Sequence, residues 1–293
     1  MHIQLILITL LFFNATVLVF AADNNRFEKL LPLAELSNAI YSDQNQIKKT
    51  ITRYALSLEK QATIPGLEVS YLIAKLESKK QYIIAVRGTA NAENAMVDMD
   101  IKLVPEKITG QYIHQGFSEA ASTIFDAVKN KIDKNYTVST TGHSLGGAVA
   151  LVLAMQLDAS DLNIGKVVTF GQPKVTNLSG AQKFQHLNIT RFVRPKDIVP
   201  LVPPLDPLDL KNLDIYWHLG EETLLLGNNQ YAKLTGLNSM KRSLGLISEL
   251  PNQENVENHA MTSYLALVIE NSQKAELVEY KSSFNPFGIF GQN

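Results

Sequence analysis

The apolar positions of this chain fall into two rhythms, one near three and a half residues and one of two, and their alternation predicts its elements. In "RFEKLLPLAELSNAIYSDQNQIKKTITRYAL" the apolar residues Leu33, Leu36, Ile40, Ile47, Ile51 and Leu56 recur at helical spacing, so one face of the segment seeks a core. "VSYLIAKLESKKQYIIAVRGT" then reads as two strands around a polar turn at Glu77 to Lys80. Helix is thus followed by hairpin. "GFSEAASTIFDAVKNKIDKN" sets Phe117, Ala121, Ile124, Val128 and Ile132 on one helical face, and "YTVSTTG" adds a short β-rich run. From Ala148 to Leu157 the chain is apolar nearly all round, which marks a helix buried on most sides, and "KVVTFG" and "TRFV" follow as further short strands. Alternation of this kind predicts an α/β fold, a mixed and largely parallel sheet flanked by helices.

The stretch "VRPKDIVPLVPPLDPLDL" contains Pro195, Pro200, Pro203, Pro204 and Pro207 and reads as a stiff surface loop. It is too short to separate two domains, and no internal repeat or low-complexity tract occurs. Residues 22–293 are therefore expected to form a single domain. Ahead of it, "MHIQLILITLLFFNATVLVFAAD" has an apolar run from Ile3 to Phe20, with Val19 and Ala21 placed before a cleavage point at Ala22. Residues 1–21 are expected to be a signal peptide directing the chain to the periplasm or outside the cell. The run is nearly long enough to span a bilayer, so an uncleaved membrane anchor is the alternative.

Composition narrows the chemistry. The chain has 293 residues, 45% of them apolar, and a formal net charge of -1. That length can bury a full core, and the charge argues against a sequence-independent nucleic-acid binder, which needs a basic surface to displace counterions from phosphates. There is no cysteine, which excludes disulfides, thiolate metal sites and a cysteine nucleophile.

Against this background "TTGHSLGGAVALVLA" stands out. Gly142, His143, Ser144, Leu145 and Gly146 fit G-x-S-x-G between an expected strand and an expected buried helix, the context in which that pattern signals a nucleophile. A strand turning sharply into a helix strains its corner residue, and glycines two places either side let neighbouring chains approach. A serine hydroxyl attacks only when a base takes its proton, and the base needs a carboxylate to fix its tautomer.

On such a fold the order is serine, acid, histidine. His186, His218 and His259 follow Ser144. His259 is favoured because "NQENVENHAMTSYLALV" sets it between a polar loop and a helix-like segment, from which it could reach the serine, whereas His218 in "IYWHLGEETLLL" alternates with apolar residues like a strand. Asp197, just after "TRFV", is favoured as the acid over Asp206, Asp209 and Asp214, which lie further from a strand end. An acyl-transfer oxyanion would take the N–H of Leu145 as one donor. For the second, Thr89 in "VRGTANAEN" offers an N–H and a hydroxyl beside Gly88.

Seven separated blocks, "IIAVRGTANAENAMVDMD", "YIHQGF", "TTGHSLGGAVA", "VVTFGQPKV", "RFVRPKDIVPLVPP", "YWHLGEE" and "NHAMTSYL", occur in the order and approximate spacing of the class 3 lipases, and the chain resembles that family from about Leu30 to Leu265. The resemblance implies an alpha/beta-hydrolase fold with a short lid after the first hairpin. It implies Ser144 as nucleophile, Asp197 as acid, His259 as base, Thr89 and Leu145 in the oxyanion hole, and a non-catalytic His218. It implies a lipid or other ester as substrate, most simply a triacylglycerol, with phospholipase A1 or short-chain esterase activity as the alternative, a catalytically inert binding protein of the same fold as the more distant one, and transient contact with a lipid surface. No metal or organic cofactor is required by such a site.

Two departures from the family pattern bear on function. The lid region Ala90 to Val97 holds no aromatic residue, with Ala95 where a tryptophan often follows the asparagine, so strong activation at an oil-water interface is not expected. The fungal members carry disulfides and this chain carries none, which points to a bacterial-type exported protein or a less oxidising destination. The tail "FNPFGIFGQN" holds three aromatics that could touch lipid.

Overall fold

The computed structural model describes residues 24–67, 69–88, 102–203, 215–236, 238–239, 242 and 253–280. The expected signal, Thr89, the lid region, Asp206, Asp209, Asp214 and the aromatic tail lie outside the described residues.

The N-terminal amphipathic stretch is two helices, α1 (Leu31–Ala39) and α2 (Gln44–Arg53). Their break has a local cause. Asp43 takes an extended backbone and its carboxylate accepts the Gln46 N–H at 2.9 Å, an N-cap that starts the second helix afresh. Next comes β1 (Ser57–Ile64), which the hydrophobic pattern did not announce because most of its residues are exposed or half-buried. The expected hairpin follows as β2 (Val69–Leu76) and β3 (Gln81–Arg87), joined by a single helical turn at Glu77–Lys79 and a left-handed Lys80.

A second small hairpin, β4 (Leu103–Glu106) and β5 (Gln111–His114), leads into α3 (Gln115–Val128). Then come β6 (Thr137–His143), α4 (Leu145–Asp158), β7 (Ile164–Phe170), β8 (Thr176–Asn177), α5 (Leu178–Lys183) and β9 (Asn188–Val193). The remaining elements are β10 (Tyr216–Trp217), β11 (Glu221–Gly227), β12 (Gln230–Leu234), α6 (Gln253–His259), α7 (Met261–Gln273) and β13 (Glu276–Leu277).

Nine strands form the main sheet in the order β1-β2-β3-β6-β7-β9-β11-β12-β13, and β10-β8-β5-β4 form a smaller one. In the main sheet five of the eight neighbouring pairs are parallel, among them the central run from β3 to β11. This is the mixed, largely parallel sheet expected. Side-chain alternation gives the sheet two apolar faces. Ile84 and Val86 join the cluster filled by α3 and α4, while Ile83 and Ala85 face Leu36, Ile40, Ile47 and Ile51 from α1 and α2. Phe170 and Phe192 pack with Tyr264 and Val268 of α7. Helix α4 is buried from Gly146 to Leu157, as its all-round apolar pattern requires. Parallel strands bring the ends of β3, β6, β7 and β9 to one edge, where the loops that follow them meet.

Candidate active site

Ser144 sits between the end of β6 and the start of α4 with φ 56° and ψ -133°. A residue with a Cβ holds such a conformation at a cost of about 1–3 kcal/mol, so the surrounding chain must enforce it. The glycines show how. A Cβ on Gly142 would lie 2.4 Å from the Gly146 carbonyl oxygen, and one on Gly146 would lie 2.4 Å from the Val86 oxygen and 2.5 Å from the Gly88 nitrogen. A Cβ on Gly88 would lie 2.7 Å from the Gly146 nitrogen. Only bare backbone lets β3, β6 and α4 converge here. Leu145 opens α4, directly after Ser144, in the first turn of the helix, where backbone N–H groups lack the carbonyl partners of a full turn. The end of β3 at Gly88 lies against this turn, and the next residue is Thr89.

The structure brings Ser144, His259 and Asp197 into one line of hydrogen bonds. His259 Nε2 lies 2.8 Å from Ser144 Oγ and His259 Nδ1 lies 2.9 Å from Asp197 Oδ2. A carboxylate can only accept, so Nδ1 bears the proton and the Nε2 lone pair faces the serine hydroxyl. That is the tautomer a general base needs.

Asp197 is fully buried, and a buried carboxylate persists only with its acceptor sites filled. It accepts the Val199 N–H on Oδ1 at 2.9 Å and the Tyr264 hydroxyl on Oδ2 at 2.5 Å. Burial, and then the charge on Asp197, push the Tyr264 phenol well above its ordinary value, so it remains a donor. Gly171, at φ 56°, makes room for the pair, since a Cβ there would lie 2.7 Å from Asp197 Oδ2 and 3.0 Å from His259 Nδ1.

His259 is the last residue of α6, not a loop residue as its polar surroundings suggested. The helix and the start of α7 at Met261 hold it from both sides. His218 lies apart from the line: it is buried just after β10 and donates from Nε2 to the Pro200 carbonyl at 2.6 Å. Burial and the nearby Arg191 hold its imidazole well below the ordinary range. His186 is on the surface beside Asp158 at 3.0 Å.

Sequence reasoning missed the donors that hold the loop around Asp197. Lys174, wholly buried, donates to the carbonyls of Leu201 at 2.5 Å and Pro203 at 2.7 Å. Asn255 Nδ2 donates to Lys196 O at 2.8 Å, and the Arg194 N–H donates to Tyr264 Oη at 3.1 Å. Behind them Glu222 receives Arg191, Arg242 and Ser239. Burial raises the Glu222 carboxyl, but Arg242 and Arg191 outweigh it and hold the group below its ordinary value. Tyr264 and Asn255 flank His259 in "NHAMTSYL" and "NQENVENH", the one signal that could have marked them.

Comparison with known proteins gives this geometry a context. The family model for lipase (class 3) matches residues 83–206. A lipase of Rhizomucor miehei is 30% identical over 152 residues, which take in 47% of this chain and 41% of that protein. The chain thus spans less than half the length of that curated relative, and the same holds for a lipase of Rhizopus niveus, 30% identical over 145 residues, 45% of this chain and 37% of that protein. Among solved structures, mono- and diacylglycerol lipase from Aspergillus oryzae superposes with a TM-score of 0.64 at 20% identity, over 80% of this chain and 94% of that one. The fold is that of the alpha/beta hydrolases.

Proposed function

We propose that this chain, whose residues 83–206 match the lipase (class 3) model, is a lipase of that kind, a serine-dependent carboxylic ester hydrolase acting on lipid esters, most simply triacylglycerols. The observation that carries the reading is the Ser144–His259–Asp197 line, with its 2.8 Å and 2.9 Å spacings and a wholly buried acid.

Ser144 Oγ attacks the ester carbonyl carbon while His259 Nε2 takes its proton, and Asp197 stabilises the resulting imidazolium. The carbonyl oxygen gathers negative charge and is received by the Leu145 N–H and by Thr89. His259 returns the proton to the departing alkoxide, releasing alcohol and leaving an acyl group on Ser144. A water molecule, deprotonated by His259, then attacks the acyl carbon; His259 hands that proton to the departing Ser144 Oγ, which frees the fatty acid and restores the serine hydroxyl and the neutral imidazole. Every proton moved is held by a side chain of this chain, so the site needs no metal or organic cofactor for these steps. With no aromatic in Ala90 to Val97, rates are expected to rise only modestly when substrate passes from monomers to droplets. Residues 1–21 act as an export signal in this reading, and the mature protein is expected to begin at Ala22.

The test is fatty-acid release from tributyrin, a long-chain triacylglycerol and a phosphatidylcholine by wild type and Ser144→Ala. Turnover by wild type with a loss of at least about a thousandfold in the variant is expected. A preference for phosphatidylcholine or for tributyrin alone would move the protein to phospholipase A1 or short-chain esterase. Hydrolysis that survives the substitution would overturn the mechanism. N-terminal sequencing of exported protein checks the signal; an intact N-terminus held in the membrane fraction would mean an anchor instead.

A further inference from the structure

Beside the proposed base lies a second histidine that the steps above leave unused. His143, the residue before the nucleophile, is buried, and its ring lies 4.6 Å from that of His259 at an interplanar angle of 36°. Its Nε2 is 2.6 Å from the backbone carbonyl oxygen of His259. A carbonyl only accepts, so His143 Nε2 bears a proton. Burial, with His259 beside it, holds His143 well below the ordinary imidazole range, so the ring is neutral and its Nδ1 is a lone pair. That lone pair faces the hydroxyl of Tyr41 at 3.2 Å. Tyr41 lies between α1 and α2; burial pushes its phenol up to about 12, against the opposing effect of the Gly88 N–H, so it stays protonated and can donate. The two neighbouring histidines therefore hold opposite tautomers, each set by the partner at its far nitrogen: Asp197 for His259, Tyr41 for His143.

We propose that Tyr41 and His143 are positioning residues for the base: Tyr41 fixes His143 as the Nε2–H tautomer, and His143 then pins the backbone of His259 so that its Nε2 stays in line with Ser144 Oγ. The proposal rests on ester hydrolysis through Ser144. It ties the base to the nucleophile's own neighbour, so the two reacting side chains share one anchor. It also gives the N-terminal helical pair a part in catalysis, although neither helix supplies a reacting group. Thr141 Oγ1 donates to the Leu33 carbonyl at 3.2 Å, which fastens α1 to β6 and sets Tyr41 in reach.

The test is a set of variants, Tyr41→Phe, His143→Leu, His143→Gln and the double variant Tyr41→Phe/His143→Leu, assayed for kcat, KM and thermal unfolding with 4-nitrophenyl butyrate. His143→Leu is expected to lower kcat at least about tenfold with KM within about twofold, and His143→Gln, whose Nε2–H can stand where the ring N–H stood, to restore it to within about threefold. Tyr41→Phe loses one oxygen atom and should lower kcat about three- to tenfold, with no further effect in the His143→Leu background, because it acts through the ring. Full kcat in His143→Leu, equal loss in Leu and Gln variants of matched stability, or additive losses in the double variant would each overturn the proposal. If His143→Leu does not fold, Tyr41→Phe and His143→Gln decide it alone.

Wild type inert toward every ester, with Ser144 unlabelled by a phosphonate, would instead strike the hydrolase reading. Spectra of histidine carrying heavy nitrogen would still decide the relay: a slowly exchanging Nε2–H on His143 in wild type that exchanges faster in Tyr41→Phe supports it, and an Nδ1–H tautomer in wild type overturns it.

Discussion

Tyr264 shows how much of the site depends on one atom. Its hydroxyl is one of three donors to the buried Asp197 carboxylate, with His259 and the Val199 N–H. Tyr264→Phe leaves the packing of the ring against Phe170 in place but removes that donor and the acceptor for the Arg194 N–H. The fold should lose about 1–3 kcal/mol by urea denaturation. Ester turnover should fall about tenfold through kcat, which steady-state kinetics would read. Ser144, Asp197 and His259 were legible in the sequence because each sits in a local pattern: an elbow, a strand end, a polar stretch before a helix. Tyr264 and Gly171 were not, since what gives them meaning is a carboxylate 67 residues away in the first case and the space around it in the second.

At the scale of elements, the loop after β9 is a structure held by others. Lys174 is the clearest handle on it. Burial, and then Arg191, lower its ammonium to about 7, against the pull of Glu222. The folded value lies below the ordinary 10.5, so between those two values the unfolded chain binds the extra proton. Raising the pH across that window therefore favours the folded state, while below about 7 the lysine contributes least. The unfolding free energy of wild type is expected to rise between pH 7 and 10, and Lys174→Met to flatten that rise, measured by urea titrations at stepped pH. A slope unchanged by the substitution would show that the proton is bound elsewhere.

The same scale marks where the sequence was opaque. Strands β1, β4 and β5 lack a clean apolar alternation because they lie at edges or in the small sheet, where burial does not discipline the side chains. The break between α1 and α2 depended on one aspartate side chain turning back on its own backbone. The helix that ends at His259 is short and polar, so its pattern resembled a loop.

For the whole molecule, α4 packs between α3 and one face of the main sheet, and its all-round apolar pattern makes that burial legible in the sequence. Leu151 is fully buried there. Leu151→Ala should cost about 2–5 kcal/mol in denaturant-induced unfolding, the usual price of an unfilled cavity in a well-packed core. Turnover at low temperature should change little, because the substitution lies within the helix and away from the elbow.

The geometry of the sheet also imposes an order in time. Ser144 and His259 meet across 115 residues of chain, and His259 and Asp197 across 62. Ser144 and Asp197 follow strands of the parallel run and His259 ends a helix beyond it, so the three meet only through contacts that bridge long stretches, which form slowly because chain closure precedes any gain in contact. Secondary structure can thus return to a refolding chain while it is still chemically silent. The proposed hydrolysis then serves as a clock that strikes only on completion: after dilution from urea, ester turnover should reappear no sooner than the slowest change in circular dichroism, and on this reading a half-assembled chain can neither turn over an ester nor acylate itself.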